Sequence, residues 1–141
     1  MKILVATDGS RAGAAALKFA SKLAVPGPGS ELVVLTVVSG NGASGGSAST
    51  GARNILAGAA RVLGDAGREA RFQIVSARHA DEIPRIISRE ADRVKADLIV
   101  VGSEGRDTLD EWIVGGTALR LIYVARRPVT VVRAPRRRTT K

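Results

Sequence analysis

The segment Ala96–Thr117, ADLIVVGSEGRDTLDEWIVGGT, passes from an apolar run into spaced glycines and then into a helical pattern. Leu98-Ile99-Val100-Val101 has no polar member, as expected of a strand buried on both faces of a sheet. Gly102 ends it, Gly105 follows, nine mixed residues intervene, and Gly115-Gly116-Thr117 lead into the next helix. A parallel sheet builds an anion pocket in this order. Glycine lets backbone N–H groups approach a phosphate, and the helix N-terminus adds unpaired donors and a favourable dipole.

If that reading holds, the rest of the chain must alternate strands with helices. Working outward, it does. Lys2–Thr7, Glu31–Val38 and Arg71–Ser76 read as strands before the central one, and Pro128–Arg133 (PVTVVR) as a strand after it. Phe72 and Ile74 fall on one face of the third. Arg11–Ala24, Asn54–Ala66 and Ala80–Lys95 carry apolar residues at helical spacing, and Thr117–Ala125 is a short fourth helix. Ser10 is placed to cap the first helix, Pro26-Gly27-Pro28-Gly29 stops it, and Gly67 is placed to end the second. Pro84 lies in the first turns of the third, where a missing N–H matters least. Ser39–Gly51 (SGNGASGGSASTG) lacks the apolar content for a core and reads as a loop. The expected fold is α/β: a single domain with an open five-stranded parallel sheet, Rossmann-like, helices on both faces and right-handed crossovers.

The 141 residues suffice for one domain with a sizeable core. Residues 1–133 are the expected domain and 134–141 a basic, disordered tail. The chain has no cysteine, which removes disulfides, thiolate metal ligands and a cysteine nucleophile, and it suits a cytoplasmic location. No apolar run suggests a membrane span, and MKILVATDGS reads as a first strand rather than a signal peptide. The formal charge of +9 would suggest nucleic acid, but five of the basic groups lie in Arg133–Lys141. Only Phe19, Phe72, Trp112 and Tyr123 are aromatic, so there is no base-stacking platform. Nucleic-acid contact is expected only nonspecifically, through that tail.

Other motifs carry less. Gly40-Asn-Gly42-Ala-Ser-Gly45 satisfies G-x-G-x-x-G, with Asp65 about twenty residues on, but it sits in glycine- and serine-rich sequence where such spacing arises by chance. No G-x-x-x-x-G-K-[ST] occurs. His79, the single histidine, stands at the start of the third helix, where capping or surface exposure is the simpler role. Asp107, Asp110 and Glu111 are explained by solvation and the neighbouring Arg106 as readily as by a metal. No nucleophile or general base can be named. Asp8 is more informative. It closes the first strand at the edge where open parallel sheets bind ligands, and a turn role before Gly9 is compatible with a ligand role.

Taken together, V-A-T-D-G-S at the start, A-D-L-I-V-V-G-S, the closing P-V-T-V-V and the spacing Gly102-x2-Gly105-x9-Gly115 resemble the universal stress protein family over nearly the whole chain. The resemblance implies an adenine-nucleotide-binding domain, usually a homodimer, taking ATP or AMP with Mg2+ carried by the phosphates. Ala6, Thr7 and Asp8 would meet adenine and ribose, and Val37 the adenine edge through its backbone. Gly102 would lie under the ribose. Gly105, Gly115, Gly116 and Thr117 would hold phosphates, and Val129–Val132 would pair across the dimer. One position departs from the family pattern: Gly116 stands where Ser or Thr is usual, and the hydroxyl comes one residue later. A hydrogen bond to a charged oxygen is worth about 1.5–3 kcal/mol, so its loss would weaken binding about tenfold to a hundredfold. The expected function is that of a binding, stress-response regulator. Slow ATP hydrolysis is the alternative, and a partner- or polyanion-binding module without nucleotide is a further one.

Overall fold

The computed structural model describes residues 1–24, 27–39, 46–103 and 116–135. Strands β1 (Lys2–Ala6), β2 (Glu31–Ser39), β3 (Arg71–Ala77), β4 (Leu98–Gly102) and β5 (Val129–Val132) alternate with helices α1 (Arg11–Leu23), α2 (Gly46–Leu63), α3 (Ile83–Val94) and α4 (Gly116–Val124). All strand pairs are parallel, in the order β3-β2-β1-β4-β5. The open α/β sheet expected from the sequence is the one observed.

Successive strand side chains point to opposite faces, which decides what each helix covers. Leu4, Val33, Leu35, Ile99 and Val101 pack with Ile87, Ala91 and Val94 of α3 and Leu121 of α4. Ile3, Val5, Leu32, Val34 and Val100 pack on the other side with Ala16, Leu17 and Ala20 of α1 and Ala59 and Leu63 of α2. Both faces of the central strands are therefore dry, so they read as unbroken apolar runs. Leu35, Ile99 and Leu121 are wholly buried, and truncating any of them to alanine would cost about 2–5 kcal/mol. At the amino edge, Glu31 bridges Lys2 and Arg71, tying β1, β2 and β3 together. The Arg71 hydrogen bond holds the Glu31 carboxyl below its usual range, against the desolvation that opposes it, with Lys2 adding to the lowering.

Three element ends differ from the sequence reading. α2 begins at Gly46, inside the stretch expected to be a loop. Ala52, only 2% exposed, adds one more buried position a turn before Ile55 and so extends the helix upstream, in small residues that carry little periodic signal. At the other end α2 stops at Leu63, and the positive φ falls on Gly64 (58°) rather than at Gly67, which lies inside a 3-10 turn spanning Gly64–Arg68. Glycine spares the chain the Cβ penalty at the first point where the apolar stripe ends.

The helix expected over Ala80–Lys95 is a 3-10 turn, Ala80–Glu82, followed by α3 from Ile83. Pro84 has no N–H to bond the carbonyl of Ala80, so the Ile83 N–H takes it instead in 3-10 fashion. His79 has an extended backbone before this turn, and its side chain makes no capping bond. α3 ends on Lys95 in the left-handed conformation (φ 59°, ψ 47°), with the Ala96 N–H returning to Ala91 O at 2.9 Å. The left-handed region costs a residue with a Cβ about 1–2 kcal/mol. Lys95→Gly is therefore expected to stabilise the protein by about 0.5–1 kcal/mol, after glycine's extra chain entropy is counted. Urea unfolding would show this as a higher midpoint at unchanged slope. An unchanged or lower midpoint would contradict the cap geometry.

Candidate functional site

Chain order across the sheet runs one way through β1, β2 and β3 and the other way through β4 and β5, so it reverses between β1 and β4. The helix that follows β1, α1, covers one face of the sheet, and the helix that follows β4, α4, covers the other. Divergent exits from adjacent parallel strands open a crevice at the carboxyl edge, the usual ligand position in such sheets.

The β1 exit, Thr7-Asp8-Gly9-Ser10, is held by a series of short hydrogen bonds. The Thr7 N–H donates to Leu35 O at 2.9 Å, holding the exit against β2. Thr7 Oγ1, in a residue only 6% exposed, accepts from the Gly9 N–H at 3.2 Å. Asp8 Oδ1 accepts from the Ser10 N–H at 2.9 Å, and Gly9 takes φ 82°. Ser10 Oγ then accepts from the Gly13 N–H at 3.1 Å, while its carbonyl accepts from the Ala14 N–H at 2.9 Å. Such a cap stabilises α1 by about 1 kcal/mol. It also uses the Gly13 donor internally, so that donor is not open to a ligand. Asp8 forms its turn through Oδ1 and remains exposed.

Two glycines let this exit pack against β4. A Cβ on Gly102 would lie 2.6 Å from Ala12 C and 2.8 Å from both Ala12 O and Cβ. The first turn of α1 occupies the space where a side chain would stand. A Cβ on Gly13 would lie 2.7 Å from Thr7 Oγ1 and 3.4 Å from Asp8 Oδ1 and Ser10 Oγ. Packing of helix on strand thus accounts for the need for glycine at 102, whatever else approaches it. Sequence reasoning missed Gly13. Its signal was a lone glycine three residues after a capping serine.

The structure brings five of the expected residues, Ala6, Thr7, Asp8, Val37 and Gly102, to the carboxyl edges of three neighbouring strands. Ala6 pairs with Leu35 and Val101, so Thr7 and Asp8 emerge beside Gly102, and Val37 lies two residues beyond Leu35 on β2. Ala6 and Val37 pack toward the α3 and α4 side, whereas Gly102 faces α1. Ser103, also missed, is 6% exposed, and its N–H donates to Val132 O at 2.7 Å, aligning the chain after β4 with β5. Gly116 and Thr117 are exposed at the start of α4, and a Cβ on Gly116 would meet nothing within 4 Å. Because α4 starts at Gly116, Thr117 is already inside the helix rather than its cap. Gly105, Gly115, the acidic group Asp107, Asp110 and Glu111, and the glycines 40, 42 and 45 lie outside the described residues. Among the described residues, no cluster of three His, Cys, Asp or Glu is placed to hold a metal ion. No described helix is long and apolar enough to cross a membrane.

The model of the universal stress protein family matches residues 1–133. The hypothetical protein MJ0577, whose structure was used to assign its biochemical function, is 23% identical with a TM-score of 0.81, covering 96% of this chain and 97% of that one. A universal stress protein in complex with cAMP is 23% identical (TM-score 0.71, covering 96% and 98%). The universal stress protein from Archaeoglobus fulgidus in complex with dAMP is 27% identical (TM-score 0.69, covering 94% and 97%). No curated protein matches the chain.

The glycine contacts give a direct test of the crevice wall. Gly102→Ala is expected to destabilise the protein by about 2–3 kcal/mol, because the atoms it meets are largely backbone. Gly13→Ala should cost about 1–2 kcal/mol even though alanine is the better helix former, since Thr7 is held by its bond to Gly9. Chemical unfolding of both variants measures this, and a neutral Gly102→Ala would show that α1 does not rest on β4 as described.

Proposed function

Because the chain belongs to the universal stress protein family, we propose that it binds an adenine nucleotide in the crevice between β1 and β4. The observation that carries this reading is the convergence of Thr7-Asp8 and Gly102 on adjacent strands where the chain order reverses. The cAMP and dAMP held by the two similar structures are both adenine nucleotides with a single phosphate, which supports the same ligand class here.

In this reading the exposed Asp8 carboxylate accepts from ribose hydroxyls while Oδ1 keeps its turn bond. Backbone groups at Ala6, Thr7 and Val37 meet the adenine, and Gly102 floors the ribose. Gly105, Gly115, Gly116 and Thr117 supply donors to the phosphates, aided by the N-terminus of α4. AMP or ATP is the ligand, with Mg2+ arriving on the phosphates of the latter. The protein is a cytoplasmic stress-response regulator that binds rather than turns over its nucleotide, since no nucleophile or general base can be named. ATP hydrolysis that disappears in Gly115→Val would replace this with the ATPase alternative.

The same family premise supports a homodimer through β5. The carbonyls of Pro128 and Val132 accept from Ile99 and Ser103, so by strand alternation the backbone groups of Val129 and Val131 face away from β4. An unpaired edge of this kind invites a second strand. Beside it, α4 exposes Leu119, Ile122 and Tyr123, at 48%, 51% and 81%. Sedimentation equilibrium should give a dimer that Ile122→Glu dissociates. A wild-type monomer at high concentration would end this part of the reading.

Isothermal calorimetry with AMP and ATP should show saturable heat, and its absence would refute nucleotide binding by the isolated protein. Gly116→Ser adds a hydroxyl where a new Cβ meets no atom within 4 Å. It is expected to tighten binding about tenfold to a hundredfold, the worth of one hydrogen bond to a charged oxygen. An unchanged affinity would move the phosphates away from residue 116.

A further inference from the structure

The outer surface of the α1–α2 layer carries charge of one sign. The exposed residues of α1 are Arg11, Lys18, Phe19 and Lys22, and α2 exposes Arg53 and Arg61. Neither helix contains an aspartate or glutamate. The nearest acids are Asp8, in the turn before α1, and Asp65 and Glu69, in the turn after α2 and at its exit. Lys18, Lys22, Arg53 and Arg61 form no ion pair with any described residue. The opposite layer is different, because there Glu90 and Asp92 of α3 pair with Arg93 and Arg127.

Spacing turns these cations into a row. Positions 11, 18 and 22 fall within about 40° of one another around the helix, and the row runs roughly 16 Å along α1. Neighbouring cations are then about 6–10 Å apart along the axis, comparable with the Debye length of roughly 8–10 Å at 0.1–0.15 M salt, so their fields overlap. The row also meets the end of the described chain, where Arg11 Nη2 donates to Pro135 O at 2.7 Å. Arg136, Arg137 and Arg138 come next in sequence.

We propose that this α1 row, continued by Arg53 and Arg61 of α2, is a docking surface for the phosphate backbone of nucleic acid, read without regard to sequence. A rigid line of cations matches a linear polyanion with regularly spaced charges. Insertion into an anionic membrane is disfavoured, because the apolar face of α1 (Ala16, Leu17 and Ala20) is buried on the sheet and only Phe19, 37% exposed, faces out. This surface belongs to the folded domain and does not depend on nucleotide occupancy of the crevice.

Fluorescence anisotropy with a labelled 20-base-pair duplex, titrated from 50 to 200 mM salt, tests it. The full chain should bind with micromolar affinity at low salt, with the logarithm of affinity falling linearly in the logarithm of salt. Lys18→Ala/Lys22→Ala should lower the magnitude of that slope by about two, near 0.9 per lost phosphate contact, and leave AMP binding unchanged. Substituting the three tail arginines, Arg136→Ala/Arg137→Ala/Arg138→Ala, should reduce the slope but leave binding in place. Binding that vanishes with the tail variant and ignores Lys18→Ala/Lys22→Ala would overturn the proposal. So would no duplex binding at 50 mM salt, including the case in which vesicles of anionic lipid are bound instead.

Discussion

The first turn of α1 lies so close to β4 that no side chain fits at Gly102, and this contact fixes the carboxyl edge of the sheet. The backbone of Ala12 fills the place of a Cβ. Gly13 lets the Thr7 hydroxyl tuck beneath the same turn, and Ser10 closes it by capping. A bulkier residue at either glycine would push α1 off the strand. With α1 seated, Thr7 and Asp8 leave β1 beside the end of β4 in a single arrangement.

That constraint connects packing to function. Interiors are packed at near-crystalline density, so a helix start cannot drift without cost. The exit of β1 is therefore organised before any ligand arrives, with its turn bonds already made among Thr7, Asp8, Gly9 and Ser10. A nucleotide meeting this edge would not have to order it, which lowers the entropic cost of binding. The start of α4 is a contrasting case. Gly116 and Thr117 are exposed, and among the described residues no side chain crowds Gly116, so a phosphate bound there would be held by backbone donors.

The sheet was legible in the sequence because its central strands are dry on both faces and its elements are punctuated by glycine and proline. Leu98–Val101 and Glu31–Val38 could hardly be anything else. The start of α2 was not legible, since Gly46–Gly51 consists of small residues that fit a loop or a helix equally, and one buried Ala52 tips the balance. Lys95 gave no sign in its residue type of its left-handed cap, where its N–H returns to the Ala91 and Asp92 carbonyls of the same helix. At the site, Asp8 and Gly102 stood out by position. Gly13 did not, because its need for glycine comes from Thr7, six residues earlier, and exists only once the turn has folded. The one-signed face of α1 and α2 was likewise hidden, since a total charge says nothing about which surfaces share it.

The central claim is that an adenine nucleotide sits at the point where the strand order reverses, between β1 and β4. Amide chemical-shift mapping by NMR during an AMP titration tests it most directly. The largest changes should fall at Thr7, Asp8, Gly9 and Val37, with Gly102, Ser103, Gly116 and Thr117 moving in the same saturable phase. Saturable shifts confined to another surface, such as the α1–α2 face, or no shifts at millimolar AMP, would contradict it.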